Sequence, residues 1–183
     1  MDVIQMYKDT GALLEGHYLL RSGRHSPKFL QSTTLLQHPI YAEAVGQALG
    51  ELFEDIPVDF VIGPAMGGVT LAFVVAKALG VRALFAEKDG QGGMFVREGL
   101  TLSPGDRFLA VEDVLTTGGS VQRAVAAAQA KGGVCVAVGC IVDRSAGRAE
   151  FGVPFRSLTQ LDFPTYSPDS CPLCQRGEPL LEV

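Results

Sequence analysis

The sequence has no long hydrophobic run and few cysteines. None of its apolar stretches approaches the roughly 20 residues that a membrane span needs, and residues 1–9 lack the basic-then-apolar layout of a signal peptide. Four cysteines in 183 residues do not form the framework of a small disulfide-rich domain. These absences argue against a membrane or secreted protein. We expect a cytoplasmic chain with reduced thiols and no membrane partner.

An excess of basic residues is also missing. The chain has 15 Lys and Arg against 20 Asp and Glu, and it has no basic patch dense enough to neutralise a nucleic-acid backbone. We therefore expect small-molecule ligands and no nucleic-acid partner. With 47% hydrophobic and 19% charged residues, the composition is that of one globular domain with a sizeable core.

Two common nucleotide-binding motifs, G-x-x-x-x-G-K-S/T and G-x-G-x-x-G, are absent. The most informative segment is instead 108–120, F-L-A-V-E-D-V-L-T-T-G-G-S. Its first four residues are apolar, which is typical of a parallel strand covered on both faces. Gly119 and Ser120 then open a helical pattern that stops at Gly132. The segment predicts a strand that ends at two carboxylates and is joined to a helix by small residues.

The loop in this segment has the composition of an anion site. Free N–H groups at a helix N-terminus, with the hydroxyls of residues 116, 117 and 120, can hold a phosphate. Glu112 and Asp113 would repel that phosphate unless they bind sugar hydroxyls or a metal ion. The combination predicts a phosphorylated sugar as ligand. For a lone T-T-G-G, a plain strand-turn-helix connection with a capped helix would be the better interpretation.

A second glycine turn, G-P-A-M-G-G at 63–68, follows a strand predicted at 58–62. Its amides could bind another phosphate group, although a plain tight turn explains the pattern equally well. Two such turns on adjacent strands favour a ligand with phosphates at both ends.

Helical and strand patterns alternate along the chain. Helices are predicted at 2–14, after residue 39 and at 69–79, and further strands at 81–86 and 134–142. This order predicts an α/β fold with a doubly wound, mostly parallel sheet, flanking helices and a site at the carboxyl ends of the strands. We expect one domain over 1–183, with a core at about 39–152 and a small hood from 1–38 and 153–183.

Segment 108–120 resembles the signature for 5-phosphoribosyl 1-diphosphate of the type I phosphoribosyltransferases. Segment 20–31, L-R-S-G-R-H-S-P-K-F-L-Q, resembles the L-K-S-G-R-x-S-P-x-F segment of the orotate phosphoribosyltransferases, with Arg21 in the lysine position. The resemblance covers about residues 16–144. It implies transfer of phosphoribosyl to orotate, a homodimer with sites near the interface, and Mg²⁺ bound through the diphosphate, with Asp113 as the candidate for a direct contact.

The resemblance also implies the site residues. The expected catalytic residues are Glu112, Asp113 and Lys88. The expected contacts to 5-phosphoribosyl 1-diphosphate are Glu112, Asp113, Val114, Leu115, Thr116, Thr117, Gly118, Gly119, Ser120, Ala65, Met66, Gly67, Gly68, Glu87, Lys88 and Arg21. The expected contacts to orotate are Thr116, Arg144, Phe29 and Arg21, and Ser26 and Lys28 are further residues of a type suited to a carboxylate on a flat ring.

The chain departs from the family pattern at two loops. Met66 and Gly67 stand where tyrosine and lysine are common, so Mg²⁺ or another basic residue must neutralise more of the pyrophosphate charge. The expected catalytic flap, 85–97, is shorter than the usual one and matches only its first lysine, while Glu87 stands where arginine is common. Arg97 is a candidate replacement cation, and the pattern identifies no catalytic acid.

The tail carries a single C-x-x-C pair, Cys171 and Cys174. Zinc needs four ligands, so Cys135, Cys140 or a dimer mate would have to complete a site. A turn with two packed thiols is the preferred interpretation, and a redox pair is disfavoured because no thioredoxin-like strand precedes it. The three histidines, at 17, 25 and 38, show no metal spacing and are predicted to be structural or surface residues, with His25 also a candidate neighbour of substrate.

Two alternatives to orotate transfer stay open. One is a phosphoribosyltransferase for a purine or another pyrimidine, which the match at 20–29 disfavours. The other is a non-catalytic member of the fold that senses 5-phosphoribosyl 1-diphosphate and regulates transcription. That alternative needs a nucleic-acid surface or an added DNA-binding domain, and this acidic sequence shows neither.

Overall fold

The computed structural model describes residues 1–20 and 22–182, so the predicted contacts of Arg21 lie outside the described residues. In chain order, the elements are α1 (Val3–Asp9), β1 (Leu13–Leu19), β2 (His25–Leu30), α2 (Ser32–Leu36), α3 (Pro39–Glu51), β3 (Phe60–Pro64), α4 (Gly67–Leu79), β4 (Arg82–Lys88), β5 (Met94–Phe95), β6 (Arg107–Leu115), α5 (Gly119–Gln129), β7 (Val134–Asp143), β8 (Phe155–Gln160), a 3-10 turn (Pro168–Ser170), α6 (Pro172–Gln175) and β9 (Leu181–Glu182).

Six strands form the main sheet in the order β5-β4-β3-β6-β7-β8. All neighbours are parallel except the short β5, which pairs antiparallel with β4 at the edge. Every residue of β3 is buried, as expected for an apolar run covered on both faces. The predicted doubly wound, mostly parallel sheet is therefore confirmed.

Helices cover both faces of this sheet. On one face α3 and α4 pack closely, because Gly46 of α3 has no side chain at the contact with Val74 of α4. A Cβ at Gly46 would lie only 2.7 Å from the carbonyl carbon of Val74. On the other face α5 packs against a core that contains the stacked rings of Phe60 and Phe108, 5.1 Å apart. Within residues 1–20 and 22–182, no helix combines the length and apolar character needed to cross a bilayer.

The ends of the chain form a second, three-stranded sheet in the order β2-β1-β9. Strands β1 and β2 form an antiparallel hairpin, and β9 joins β1 in parallel, with Tyr18 opposite Leu181. The helix predicted at 2–14 ends at Asp9, because Gly11 takes a positive φ of 67° and Leu13 opens β1. The core and hood boundaries stay a prediction, but 155–160 form an edge strand of the main sheet rather than part of the second sheet.

Candidate active site

A cavity of about 590 Å³ opens at the carboxyl ends of β3, β4 and β6, bounded also by residues of the terminal sheet. Substrate pockets commonly have volumes of roughly 300–1,000 Å³. Residues of three regions form most of its wall: the end of β2 with the start of α2, the turn after β3, and β6 with α5. In that order the residues are Phe29, Leu30, Gln31, Ser32, Thr33; Pro64, Ala65, Met66, Gly67; and Glu112, Asp113, Ser120, Arg123, and the wall is completed by Lys88, Met94 and Glu182. The site therefore lies where open parallel sheets bind ligands.

The turn after β3 depends on its glycines. A Cβ at Gly63 would lie 2.3 Å from the carbonyl oxygen of Gly68, and one at Gly67 would lie 3.4 Å from Asp113 Oδ2. The turn can thus fold back tightly and lie close to the Asp113 carboxylate. Helix α4 begins at Gly67 without a capping side chain, which leaves its first N–H groups for an anion. Gly68, also a predicted contact, packs behind the turn against Pro64 rather than on the cavity wall.

The loop after β6 forms a second, small cavity of about 50 Å³. Its wall consists of Glu112 and residues 114–120. Gly118 is the N-cap of α5 in the left-handed conformation, with φ of 77°, and the helix has no capping side chain. The alternative of a capped strand-turn-helix connection is therefore disfavoured. The strand itself extends to Leu115, beyond the end predicted at the carboxylates.

The adjacent carboxyl groups in β6 differ in environment. Glu112 is 8% exposed, whereas Asp113 is half-buried beside Gly67. Burial, followed by the nearby charge of Asp113, raises the pKa of Glu112 to about 9, although the charge of Arg123 opposes the rise. Glu112 is consequently protonated at neutral pH, and an approaching cation would favour loss of its proton.

Arg123 lines the cavity, although the sequence analysis did not select it. Its Nη2 atom lies 3.4 Å from the hydroxyl oxygen of Ser120, one helical turn earlier in α5. That spacing from the phosphate-type loop is the sequence signal that would have identified it. Arg123 supplies a cation to a cavity whose turn at 63–68 lacks the family's lysine.

Lys88 reaches the cavity wall at the end of β4, but Glu87 and Arg97 do not. Two 2.7 Å bonds join the Arg97 guanidinium to the Glu87 carboxylate, and this pairing lowers the pKa of Glu87. Arg97 is thus paired with Glu87 and away from the cavity wall, and its role as a replacement cation stays a prediction. The predicted flap is a β4–β5 hairpin whose turn is held by Asp89 Oδ1, which accepts hydrogen bonds from the amides of Gln91 and Gly93.

Arg144 lies beside the β6 loop rather than on the main cavity wall. Its amide donates to the carbonyl of Leu115 at 2.7 Å, next to Thr116 of the small cavity. Its guanidinium stacks on Phe163, 4.8 Å from the ring centroid, and burial lowers its pKa. Its Nε is buried and has no hydrogen-bond partner in residues 1–20 and 22–182. Such a donor is available to a ligand oxygen.

Of the described residues in segment 20–31, Phe29, Leu30 and Gln31 line the cavity, whereas Ser26 and Lys28 do not. The Lys28 ammonium pairs with Glu15 at 2.9 Å, and the buried Ser26 hydroxyl donates to the Lys28 carbonyl. The cavity wall continues beyond this segment through Ser32 and Thr33 in the first turn of α2, which the sequence pattern did not identify.

Comparison with known proteins agrees with this geometry. The model of the phosphoribosyl transferase domain family matches residues 31–160. An orotate phosphoribosyltransferase from Thermus thermophilus is 71% identical over 183 residues, which is all of both chains. One from Thermotoga maritima is 47% identical over 175 residues, 96% of this chain and 93% of the relative. The crystal structure of the Mycobacterium tuberculosis orotate phosphoribosyltransferase with 5-phospho-α-D-ribosyl 1-diphosphate is 27% identical, with a TM-score of 0.68, and covers 88% of this chain and 97% of its own.

Proposed function

This chain belongs to the orotate phosphoribosyltransferases, and from that premise we propose how its residues carry out the transfer. The reaction joins orotate N1 to C1′ of 5-phosphoribosyl 1-diphosphate and releases orotidine 5′-monophosphate and pyrophosphate in pyrimidine nucleotide synthesis. The observation that carries the assignment of residues is the cavity itself. It brings an acidic pair, two uncapped helix N-termini and two cationic side chains to one edge of the sheet.

The phosphate groups would occupy the two helix N-termini. The loop 116–120 holds the 5′-phosphate in the small cavity, where backbone amides and hydroxyls converge. The turn 64–67 and Lys88 hold the diphosphate, and Arg123 provides additional positive charge. Glu112 and Asp113 then lie between the two phosphate positions, where they bind the ribose hydroxyls.

The acidic pair also supports the chemical step. As the bond from C1′ to pyrophosphate breaks, the ribose carbon becomes cation-like, and the Asp113 carboxylate stabilises that charge. The two carboxyl groups offer oxygen donors of the kind that Mg²⁺ prefers, so they fit the metal that the family implies. When bound through the diphosphate, Mg²⁺ would neutralise charge on the leaving group.

Orotate would lie near Arg144 and Phe29. The unpaired Nε of Arg144 can donate to an orotate oxygen, and the Phe29 ring provides an apolar wall for the flat base. Thr116 is the proposed hydroxyl contact, and Arg21 stays a prediction from the sequence.

Separate assays with four bases test the specificity for the base. Purified protein is assayed with 5-phosphoribosyl 1-diphosphate, Mg²⁺ and either orotate, uracil, hypoxanthine or adenine. We expect turnover of orotate alone at physiological concentrations. Turnover of another base without turnover of orotate would contradict the specificity, and tight binding of DNA without turnover would favour the regulatory alternative.

We expect Arg144→Ala to raise the KM for orotate by about 10-fold or more, because a charge-assisted hydrogen bond contributes roughly 1.5–3 kcal/mol. The KM for 5-phosphoribosyl 1-diphosphate should change much less. Arg148→Ala, four residues further on at an exposed position, is the matched control and should leave both constants unchanged. Equal changes in the two substrate constants would remove Arg144 from the base site.

The proposal includes a homodimer. Two large apolar side chains are exposed on this side of the molecule, Met66 (81%) at the N-cap of α4 and Phe73 (61%) within the helix two turns later. We expect Phe73→Asp to shift the sedimentation coefficient toward that of a monomer, whereas Val134→Asp, at an exposed apolar position on β7, should not. An unchanged dimer in both variants would exclude this face as the interface.

The cytoplasmic location stays a prediction, and the structure holds all four cysteines as free thiols.

A further inference from the structure

The terminal sheet brings two histidines to the two cysteines of the tail. His17, His25, Cys171 and Cys174 each offer one ligand atom, and these four atoms lie within 4.8 Å of one another. The first three side chains are nearly inaccessible, at 2%, 4% and 1% exposure, and Cys174 is at the surface. The linear sequence shows no metal spacing for these histidines, but β1–β2 pairing and the returning tail bring His17 and His25 to the two cysteines.

The distances fit a tetrahedral metal site. With Zn–N of about 2.05 Å and Zn–S of about 2.3 Å, a tetrahedron places nitrogen and sulfur ligands about 3.6 Å apart and two nitrogens about 3.3 Å apart. Here the three measured nitrogen–sulfur separations are 3.6, 3.7 and 3.3 Å, and His17 Nε2 lies 2.9 Å from His25 Nδ1. To reach that geometry the nitrogen pair would have to separate by a few tenths of an ångström, and a pair at the 4.8 Å limit of the cluster would have to close by about 1 Å.

The surroundings of His17 provide an independent observation. Its other ring nitrogen, Nδ1, lies 2.9 Å from the carbonyl oxygen of Glu178. Metal-bound histidines usually donate their second ring N–H to a carbonyl or carboxylate in this way, which fixes the tautomer and leaves Nε2 unprotonated toward the metal. The tail residue that accepts this bond follows the C-x-x-C pair by four positions.

We propose that His17 Nε2, His25 Nδ1, Cys171 Sγ and Cys174 Sγ bind one Zn²⁺ ion. A set of two thiolates and two imidazoles in tetrahedral arrangement is typical of zinc. Both thiols lose their protons to solvent on binding, so the two thiolates balance the charge of the ion. With four protein ligands the site has no open position, and its role is structural rather than catalytic.

The ion would tie the tail to the β1–β2 hairpin and so hold one side of the substrate cavity. The hairpin continues into Phe29 and Leu30, and the tail continues into Glu182, all of which line that cavity. None of the four ligands lines it themselves. Loss of the ion should thus loosen substrate binding without removing any group that contacts the substrates.

Metal content of the intact wild-type protein is the primary test. Cells grown with added zinc should yield about one zinc per chain by mass spectrometry of the purified, dialysed protein. After zinc removal under reducing conditions, Co²⁺ should restore one equivalent of binding, with a thiolate-to-cobalt charge-transfer band and the strong visible bands of tetrahedral Co²⁺. Chelation should lower Tm by on the order of 10 °C.

A matched pair of variants separates this site from the other thiols. Cys174→Ser should reduce zinc to a small fraction of one equivalent and abolish the charge-transfer band, whereas Cys135→Ser should retain both. Zinc-free wild-type protein that also gives no tetrahedral Co²⁺ spectrum would overturn the proposal and leave a hydrogen-bonded cluster in which His25 donates to His17. A mass 2 Da lower than that of the reduced chain, from a Cys171–Cys174 disulfide, would overturn it as well.

Discussion

Asp113→Asn is expected to lower kcat by about 100-fold or more and to leave Tm unchanged or slightly higher. The substitution keeps the shape of the side chain beside Gly67 but removes the charge that we propose stabilises the cation-like ribose carbon. Loss of one preorganised electrostatic contact to a transition state commonly costs a factor of roughly 10²–10³. Folding should not suffer, because Glu112 is protonated at neutral pH and the amide, like the carboxylate, can accept a hydrogen bond from its carboxyl group.

Asp59→Asn is the matched control for this prediction. Asp59 lies at the amino end of β3, far from the carboxyl-end cavity along the strand direction, and its carboxylate accepts a 2.8 Å bond from the Arg107 amide. We expect full activity and a slightly lower Tm, the reverse of the Asp113 result. Steady-state kinetics with both substrates and thermal melting followed by circular dichroism distinguish the two. An Asp113→Asn enzyme with an unchanged rate would remove this residue from the chemical step.

Glu112→Gln is expected to stabilise the ligand-free protein at neutral and alkaline pH. Because the folded-state pKa of Glu112 is raised from 4.5 to about 9, its contribution to stability is fully present below pH 4.5 and is lost as pH rises toward 9. At about 1.4 kcal/mol per pH unit, this amounts to on the order of 3 kcal/mol at pH 7. Glutamine does not titrate, so Tm should rise by about 5–10 °C at pH 7 and little at pH 4.5.

The pH dependence of the difference between variant and wild type is the decisive measurement. All other groups titrate in both proteins, and subtraction isolates Glu112. Activity should fall in the same variant, because the amide cannot provide a carboxylate to the ribose hydroxyls or a metal, so stability and function oppose each other here. A Tm difference that is constant from pH 4.5 to 8 would contradict the raised pKa.

The sequence was sufficient to predict the two glycine turns and the sheet that positions them. Both turns follow short apolar runs, and that local combination determines a strand joined to a helix in a parallel sheet. The end of β6 was less predictable. Glu112 and Asp113 interrupt the apolar pattern, yet β6 continues through them because the backbone of β7 pairs with it as far as Asp143. Tertiary pairing of this kind overrides side-chain polarity.

The sequence patterns did not predict the strands of the terminal sheet. Strand β9 is only two residues long, and it exists because β1 offers it an edge. The sequence pattern placed Leu13 and Leu14 at the end of the first helix, but Gly11 has a positive φ and ends that helix before them. His17 and His25 belong to no linear metal motif, and their relation to the tail is a product of the fold. Arg123 could have been found, because one helical turn separates it from Ser120.

The pairing of β1 with β9 bears on how the chain folds during synthesis. The β1–β2 hairpin is translated well before its parallel partner at Leu181, because most of the main sheet lies between them in the sequence. Residues 60–160 can form the main sheet before β1 pairs with β9, because contacts between residues far apart in the sequence form late. A nascent chain halted after β8 should therefore contain a folded core with an incomplete cavity wall. Catalytic competence would arise only after β9 has paired with β1 and completed that wall.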